Sequence, residues 1–179
     1  MVVVGRPPGA SDAETRRRML RQRRANTKPE RAVRALLTSL GQRFRLENRD
    51  LPGSPDLANR THGWAIFVHG CFWHRHNGCA HATTPKRHRA FWLRKFEDNR
   101  RRDRAKVREL RRLGFQVLTI WECELAHSEL LQRRVLSLQE AVKGRGSSAC
   151  YTPRRTIRHA RSANPRPKSE HARRRRQVR

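Results

Sequence analysis

Within twelve residues, Val68-His69-Gly70-Cys71-Phe72-Trp73-His74-Arg75-His76-Asn77-Gly78-Cys79, the chain carries two cysteines, three histidines and two adjacent aromatics. Cys71, His76 and Cys79 are spaced C-x4-H-x2-C. Cys123 follows an apolar run that can return, as a strand, to the same end of a sheet. Three soft thiolates and one imidazole make the closed tetrahedral donor set of a structural zinc. His74 or His81 could take the place of His76 in that set. Cys150 stands in a basic tail and is not expected to be a ligand.

His69 and His74 are left beside this metal. Imidazole titrates near neutral pH and can take a proton from water. Asp56 leaves a proline turn at the head of a strand beside the one ending in His69. Asp103 falls on the inner stripe of a long helix, where an unpaired charge is costly. Both acids are therefore expected near His69, and a carboxylate with carbonyl or water oxygens can hold Mg²⁺ against a phosphate. Phe72 and Trp73 are neighbours and cannot easily both bury from one loop. With Trp92 they suit the apolar wedges that unstack base steps in duplex DNA.

The remaining chain supplies charge. Its 179 residues carry a net charge of +28. Residues 144–179 hold 12 Lys and Arg against 1 acid, and residues 1–26 hold 7 against 2. Residues 27–143 hold 24 against 12, so the middle keeps +12 alone. Such a field favours phosphate backbones through counterion release. No apolar run approaches the ~18 residues of a membrane span. The opening Met1-Val2-Val3-Val4 is too short for a secretion signal. A cytoplasmic, nucleoid-associated monomer without membrane contact is expected, with its cysteines reduced and available to metal.

The elements that must position these residues are legible in outline. Ser11-Asp12-Ala13-Glu14 is a capping-box pattern opening a basic helix to about Arg24. Thr27-Lys28-Pro29-Glu30 is a second capping box, with Pro in the first turn. Val33, Leu36, Leu37 and Leu40 follow on one helical face, and Gly41 is a suitable stop. Phe44 and Leu46 alternate with charged residues as a half-buried strand. Leu51-Pro52-Gly53-Ser54-Pro55 is a turn that releases Asp56. Trp64 to Val68 reads as a central strand. From about His88 to Leu113 a long helix sets Trp92, Phe96, Asn99, Asp103, Val107 and Leu110 on one stripe. Phe115 to Trp121 is a third strand, and a last amphipathic helix runs from about Ser128 to Val142. The order predicts an α/β fold, a small mixed sheet flanked by helices. The apolar-poor residues after Gly144 are expected to be disordered.

At these residues the chain resembles the very short patch repair (Vsr) DNA mismatch endonucleases. The matching text is Asn26-Thr27-Lys28-Pro29-Glu30, Leu51-Pro52-Gly53-Ser54-Pro55-Asp56, Ile66-Phe67-Val68-His69-Gly70-Cys71-Phe72-Trp73-His74, Phe91-Trp92-Leu93, Arg102-Asp103-Arg104 and Trp121-Glu122-Cys123. It spans about 26–125 and says nothing of 1–10 or 144–179. The resemblance implies a restriction-endonuclease-like fold with an added structural zinc. It implies Mg²⁺-dependent nicking of double-stranded DNA 5′ to the thymine of a T·G mismatch, the product of 5-methylcytosine deamination. Other mismatch-repair proteins are implied as further partners. By position, Asp56 looks like the Mg²⁺ carboxylate, with the Val68 carbonyl as a second ligand. Glu30 looks like an acid supporting the metal's water shell, and His74 like the general base. His69 and Asp103 look like residues that orient the site and assist the leaving group. Cys71, His76, Cys79 and Cys123 fit the zinc set, and Phe72, Trp73 and Trp92 the wedge beside the mismatch. Two departures stand out: Val68 replaces a common Thr, and the His76-to-Cys79 spacing is one residue longer than the family pattern.

Two other readings make different demands. A non-catalytic, zinc-stapled DNA-binding protein has no need of Asp56, His69, His74 and Asp103 around one site. A ββα-metal nuclease would keep its catalytic residues within one zinc-flanked hairpin rather than recruit Asp103 from a distant helix. The organisation expected is a DNA-contacting basic arm over 1–26, an endonuclease domain over 27–143, and a basic tail over 144–179.

Overall fold

The computed structural model describes residues 25–144, together with Ala13 and Arg17. The expected helix over 11–24 and the basic tail lie outside the described residues, except that Ala13 and Arg17 are themselves helical.

Helix α1 spans Lys28–Ser39. Thr27 caps it as the sequence predicts: its hydroxyl oxygen accepts the Glu30 N–H at 3.4 Å and its hydroxyl donates to the Glu30 carboxylate at 2.9 Å. The same carboxylate accepts the Asn26 N–H at 2.8 Å. Gly41, at φ +67°, ends the helix, and the following Gln42 N–H reaches back to the Leu37 carbonyl.

Strand β1 is Leu57–Asn59, β2 is Trp64–His69 and β3 is Gln116–Trp121. They form one sheet in that order. β1 runs antiparallel to β2, and β2 runs parallel to β3 with His69 opposite Trp121. The parallel pair is joined by α2, Arg89–Arg112, and β3 is followed by a 3₁₀ turn, Glu122–Ala126, and helix α3, Ser128–Lys143. Alternation on the strands separates two cores. Leu57, Trp64, Ile66 and Ile120 meet Val33 and Leu37 of α1 and Leu131, Val135 and Leu138 of α3. Ala58, Ala65, Phe67 and Phe115 meet Leu110 of α2 on the opposite face. The result is a mixed three-stranded sheet between helices.

The strand expected at Phe44 and Leu46 is reduced to one antiparallel bridge, Arg45 with Ala58. Glu47 sits at φ +53°, which ends extended backbone. The buried Asn48 amide then donates to the carbonyls of Arg45 and Pro55, at 2.9 and 3.1 Å. Strand pairing is thereby exchanged for a side-chain clasp on the loop that delivers Asp56. No helix among the described residues is long and apolar enough to cross a membrane.

Candidate active site and metal centre

The C-terminal ends of the parallel strands β2 and β3 gather most of the chemistry. β2 ends in His69, and Cys71 follows two residues later. β3 ends in Trp121, and Cys123 follows at the same interval. In-register parallel pairing therefore puts both cysteines at one end of the sheet. The loop after β2 folds back through His76 N–H to Cys71 C=O at 3.0 Å and carries His76 and Cys79 to them. The donor atoms of Cys71, His76, Cys79 and Cys123 all lie within 4.8 Å of one another. His76 Nδ1 is 3.7 Å from Cys71 Sγ and 3.3 Å from Cys123 Sγ. Tetrahedral Zn–S and Zn–N bonds would set that separation at roughly 3.5 Å. Burial pushes the Cys71 thiol up to about 12, so a thiolate there calls for a cation. The four residues fit a metal ion. His74 and His81, the alternatives to His76, are not in this cluster. Cys150 lies outside the described residues.

A second cluster joins His69, His74 and Asp103. The two imidazoles stack, centroids 3.8 Å apart and planes within 9°. His74 Nδ1 and Asp103 Oδ2 are 2.6 Å apart, so the helix carboxylate has the partner its inward position demands. Burial opposes ionisation of Asp103, but the hydrogen bond and the electrostatic interaction with His74 outweigh it and hold its pKa down. His69 differs from its neighbour. Burial first, then the adjoining His74, lowers its pKa to about 4, and it is neutral at physiological pH.

Asp56 precedes β1. Its Oδ2 accepts the Val68 N–H at 2.8 Å, which fixes it against β2 one residue before His69. Burial raises its pKa to about 6, partly offset by the Val68 hydrogen bond and reinforced by the negative charge of Glu30. A desolvated carboxylate with one oxygen tethered and a second acid in range is a site that a cation relieves. Glu30 is itself buried, and its carboxylate is held by Asn26, Thr27 and Arg34. A stability test follows from the sign of the Asp56 shift. A raised acid contributes stability fully below its unfolded value of 3.8, and loses that contribution as pH climbs through about 6. Metal-free Asp56→Asn is expected to melt several degrees above the parent at pH 8, with the gap closing below pH 4. Equal melting of the two proteins at pH 8 would contradict the burial argument.

Phe72, Trp73 and Trp92 form one aromatic group beside these clusters. The Phe72 ring meets Trp73, Trp92 and the buried Phe96 edge-on, at 5.1, 5.4 and 5.3 Å. All three site aromatics remain partly exposed. The Asn99 amide, on the inner stripe of α2, donates to the Trp73 carbonyl at 2.7 Å and holds the loop to the helix.

The model of the family described as DNA mismatch endonuclease Vsr matches residues 10–81. The type II nicking enzyme V.XorIIP of Xanthomonas oryzae pv. oryzae is 44% identical over 126 residues, covering 70% of this chain and 92% of that protein. The DNA mismatch endonuclease Vsr of Escherichia coli strain K12 is 40% identical over 126 residues, 69% of this chain and 80% of that protein. The type II nicking enzyme V.NmeAIP of Neisseria meningitidis serogroup A is 36% identical over 125 residues, 70% of this chain and 89% of that protein. The chain belongs to the Vsr family of DNA endonucleases.

In this Vsr-family chain two site neighbours escape a reading of the sequence. Lys106 Nζ is 3.6 Å from Asp103 Oδ1. Its stem crosses Gly53, where a Cβ would come within 2.6 Å of it. Gly53, at φ +75°, therefore serves both the Pro-Gly turn and the close approach of α2 to the loop before Asp56. An i,i+3 relation to Asp103 was the available signal for Lys106. Trp121 lies between the two clusters, and only the register of β2 against β3 discloses it.

Proposed function

We propose that this protein is a Mg²⁺-dependent mismatch endonuclease that nicks duplex DNA 5′ to the thymine of a T·G mismatch, on a restriction-endonuclease-like scaffold stapled by zinc. The observation that carries the reading is the His74–Asp103 pair set within one cluster with neutral His69, beside the tethered Asp56. A pure DNA-binding protein has no use for such a pair. Asp103, ionised, would accept a hydrogen bond from the Nδ1–H of neutral His74 and so leave Nε2 free to take a proton from an attacking water. His69, held neutral, cannot act as a resident cation at physiological pH; it stacks on His74, fixes its ring, and can offer one hydrogen bond to the phosphate. Asp56 and the Val68 carbonyl would hold Mg²⁺, and the negative charge of Glu30 would support its water shell. When bound, Mg²⁺ supplies Lewis-acid stabilisation of the phosphate and the leaving oxygen. Cys71, His76, Cys79 and Cys123 would hold zinc as a closed structural site.

Phe72, Trp73 and Trp92 would enter the duplex beside the mismatch, where the weaker pair lowers the cost of unstacking. We read the protein as a cytoplasmic monomer that works with other mismatch-repair proteins on this substrate. Residues 1–26 and 144–179 would act as a basic arm and tail around the 27–143 domain.

The test is incubation with end-labelled T·G, T·A and other mismatched duplexes in varied flanking contexts, with and without Mg²⁺. Nicking of the T strand at T·G, dependent on Mg²⁺, is the expected result. Binding without cleavage in every context would favour the zinc-stapled binder. Deleting 144–179 is expected to leave the preference for T·G over T·A intact but to flatten the salt dependence of DNA affinity. An Arg-rich tail neutralises phosphates and reads no base edges. A truncated protein that no longer prefers T·G would place the tail in the recognition surface.

A further inference from the structure

The two clusters at the end of the sheet are joined by a single side chain. Trp121 stacks on His76 of the metal cluster, with centroids 4.2 Å apart and planes within 8°. Its ring also stands near-perpendicular to His69, at 5.4 Å and 75°. His69 in turn stacks on His74, which holds Asp103. The four side chains make a continuous column from a metal ligand to the carboxylate of α2. Trp121 is also fixed from outside the column. The Trp121 backbone N–H donates to Glu124 at 3.0 Å, and Glu124 is gripped by Arg134 of α3. Arg134 also donates to the Thr119 carbonyl at 2.9 Å, so α3 is tied both to β3 and to the turn that carries Cys123.

We infer that Trp121 is a positioning residue, transmitting the geometry of the metal centre to the His69–His74 pair. This rests on the reading of that pair as the nuclease site. Cys71 and Cys123 each lie two residues beyond the paired His69 and Trp121. A metal binding both cysteines therefore fixes the separation of the two strand ends, and the indole fills the space between the two imidazoles. The parallel stack orients the His76 ring, and the perpendicular contact, the edge-to-face arrangement that aromatic pairs prefer, orients that of His69. An aliphatic side chain at 121 would fill part of the volume but impose neither direction. The metal centre is then more than a staple: it determines how the reacting histidines are presented.

The experiment compares wild type with Trp121→Leu and Trp121→Phe, zinc-loaded. Leu is expected to keep one zinc per chain and duplex affinity within about twofold. Its single-turnover nicking rate should fall by ~10- to 100-fold, as misplaced reacting groups do. Half-saturating DNA should stay unchanged, and Phe should restore most of the rate. A second readout needs no cleavage. The ring resonances of the histidines are followed by NMR as zinc is exchanged for the larger cadmium. The His69 signals are expected to move in wild type and in Trp121→Phe, and to stay still in Trp121→Leu. A Leu variant that nicks at the wild-type rate, or that loses zinc and rate together, overturns the inference. So does a Leu variant whose His69 signals still move on metal exchange. Should wild type nick no duplex at all, the nuclease reading falls, and the metal-exchange spectra alone decide the role of Trp121.

Discussion

Asp56→Ala and His74→Ala should each abolish nicking of a T·G duplex while gel-shift affinity for the same duplex stays close to wild type. Asp56 is tethered next to His69 through the Val68 N–H and His74 stacks on the His69 ring, and the two have different tasks. Asp56 is fixed by the Val68 N–H and desolvated, so that its pKa reaches about 6. A cation there recovers the cost of burying the charge, and removing the carboxylate removes the place where Mg²⁺ meets the phosphate. That contribution is made mainly in the transition state, so ground-state affinity is spared. Loss of an acid from a site meant for phosphate can even tighten binding slightly. His74→Ala removes the only imidazole of the pair that is bonded to a carboxylate. General-base catalysis is worth typically ~10²–10⁴-fold, and His69, neutral but turned to another partner, is not placed to substitute. Phe72→Ala and Trp73→Ala should differ in kind, weakening affinity and mismatch preference together, because stacking stabilises the distorted complex itself. Full activity in Asp56→Ala would refute the metal site, and an Asp56→Ala protein that no longer binds DNA would move the residue from chemistry to folding.

Why some of this was legible in the sequence and some was not is a matter of range. The cysteine and histidine set could be named because its chemistry is uncommon and three of its four members fall within nine residues. Cap chemistry is equally local: Thr27, Glu30 and Gly41 marked the limits of α1 correctly. The stripe on α2 placed Asp103 inward and near His69, and the structure gives it His74 as its partner. Local alternation misled at Phe44 and Leu46. There the deciding contact is the amide of Asn48 on a carbonyl seven residues away, which no period reports. The division between His69 and His74 was also beyond spacing. The two residues are alike in type and differ only in surroundings: one is 7% exposed and boxed between Phe67, His74 and Trp121, the other is paired to an acid from a distant helix. Trp121 and Lys106 depend on strand register and on helix–loop approach, which are tertiary facts.

The metal cluster yields the remaining large effect. Cys123→Ser is expected to lose the bound zinc, to melt far below wild type, and to lose nicking with it. Its donors come from the end of β2, from a long loop and from the turn after β3, stations that the hydrophobic cores do not themselves hold together. The two cores lie along the strands and helices; the loop from Cys71 to Cys79 is held by short backbone bonds, Arg75 on the Ala82 carbonyl, the aromatic contacts of Phe72, and the polar ties of Trp73 and His74 to Asn99 and Asp103 of α2. Metal affinity therefore enters the folding free energy directly. Because burial holds the Cys71 thiol near 12 without metal, zinc must displace its proton, and apparent zinc affinity should fall as pH is lowered. Secondary structure should survive in Cys123→Ser at low temperature, since Leu57, Ile66 and Ile120 remain packed against α1 and α3. The midpoint should nevertheless drop by more than ~10 °C, given that ~1 kcal/mol moves a domain of this size by a few degrees and a structural zinc is worth several times that. Cys150→Ser, which removes a cysteine from the basic tail, should change neither metal content nor melting. The measurements are metal content by mass spectrometry and thermal melting by circular dichroism on the same preparations. Active wild-type protein free of zinc would refute the assignment, and a Cys123→Ser protein that retains one zinc would return the fourth position to another ligand.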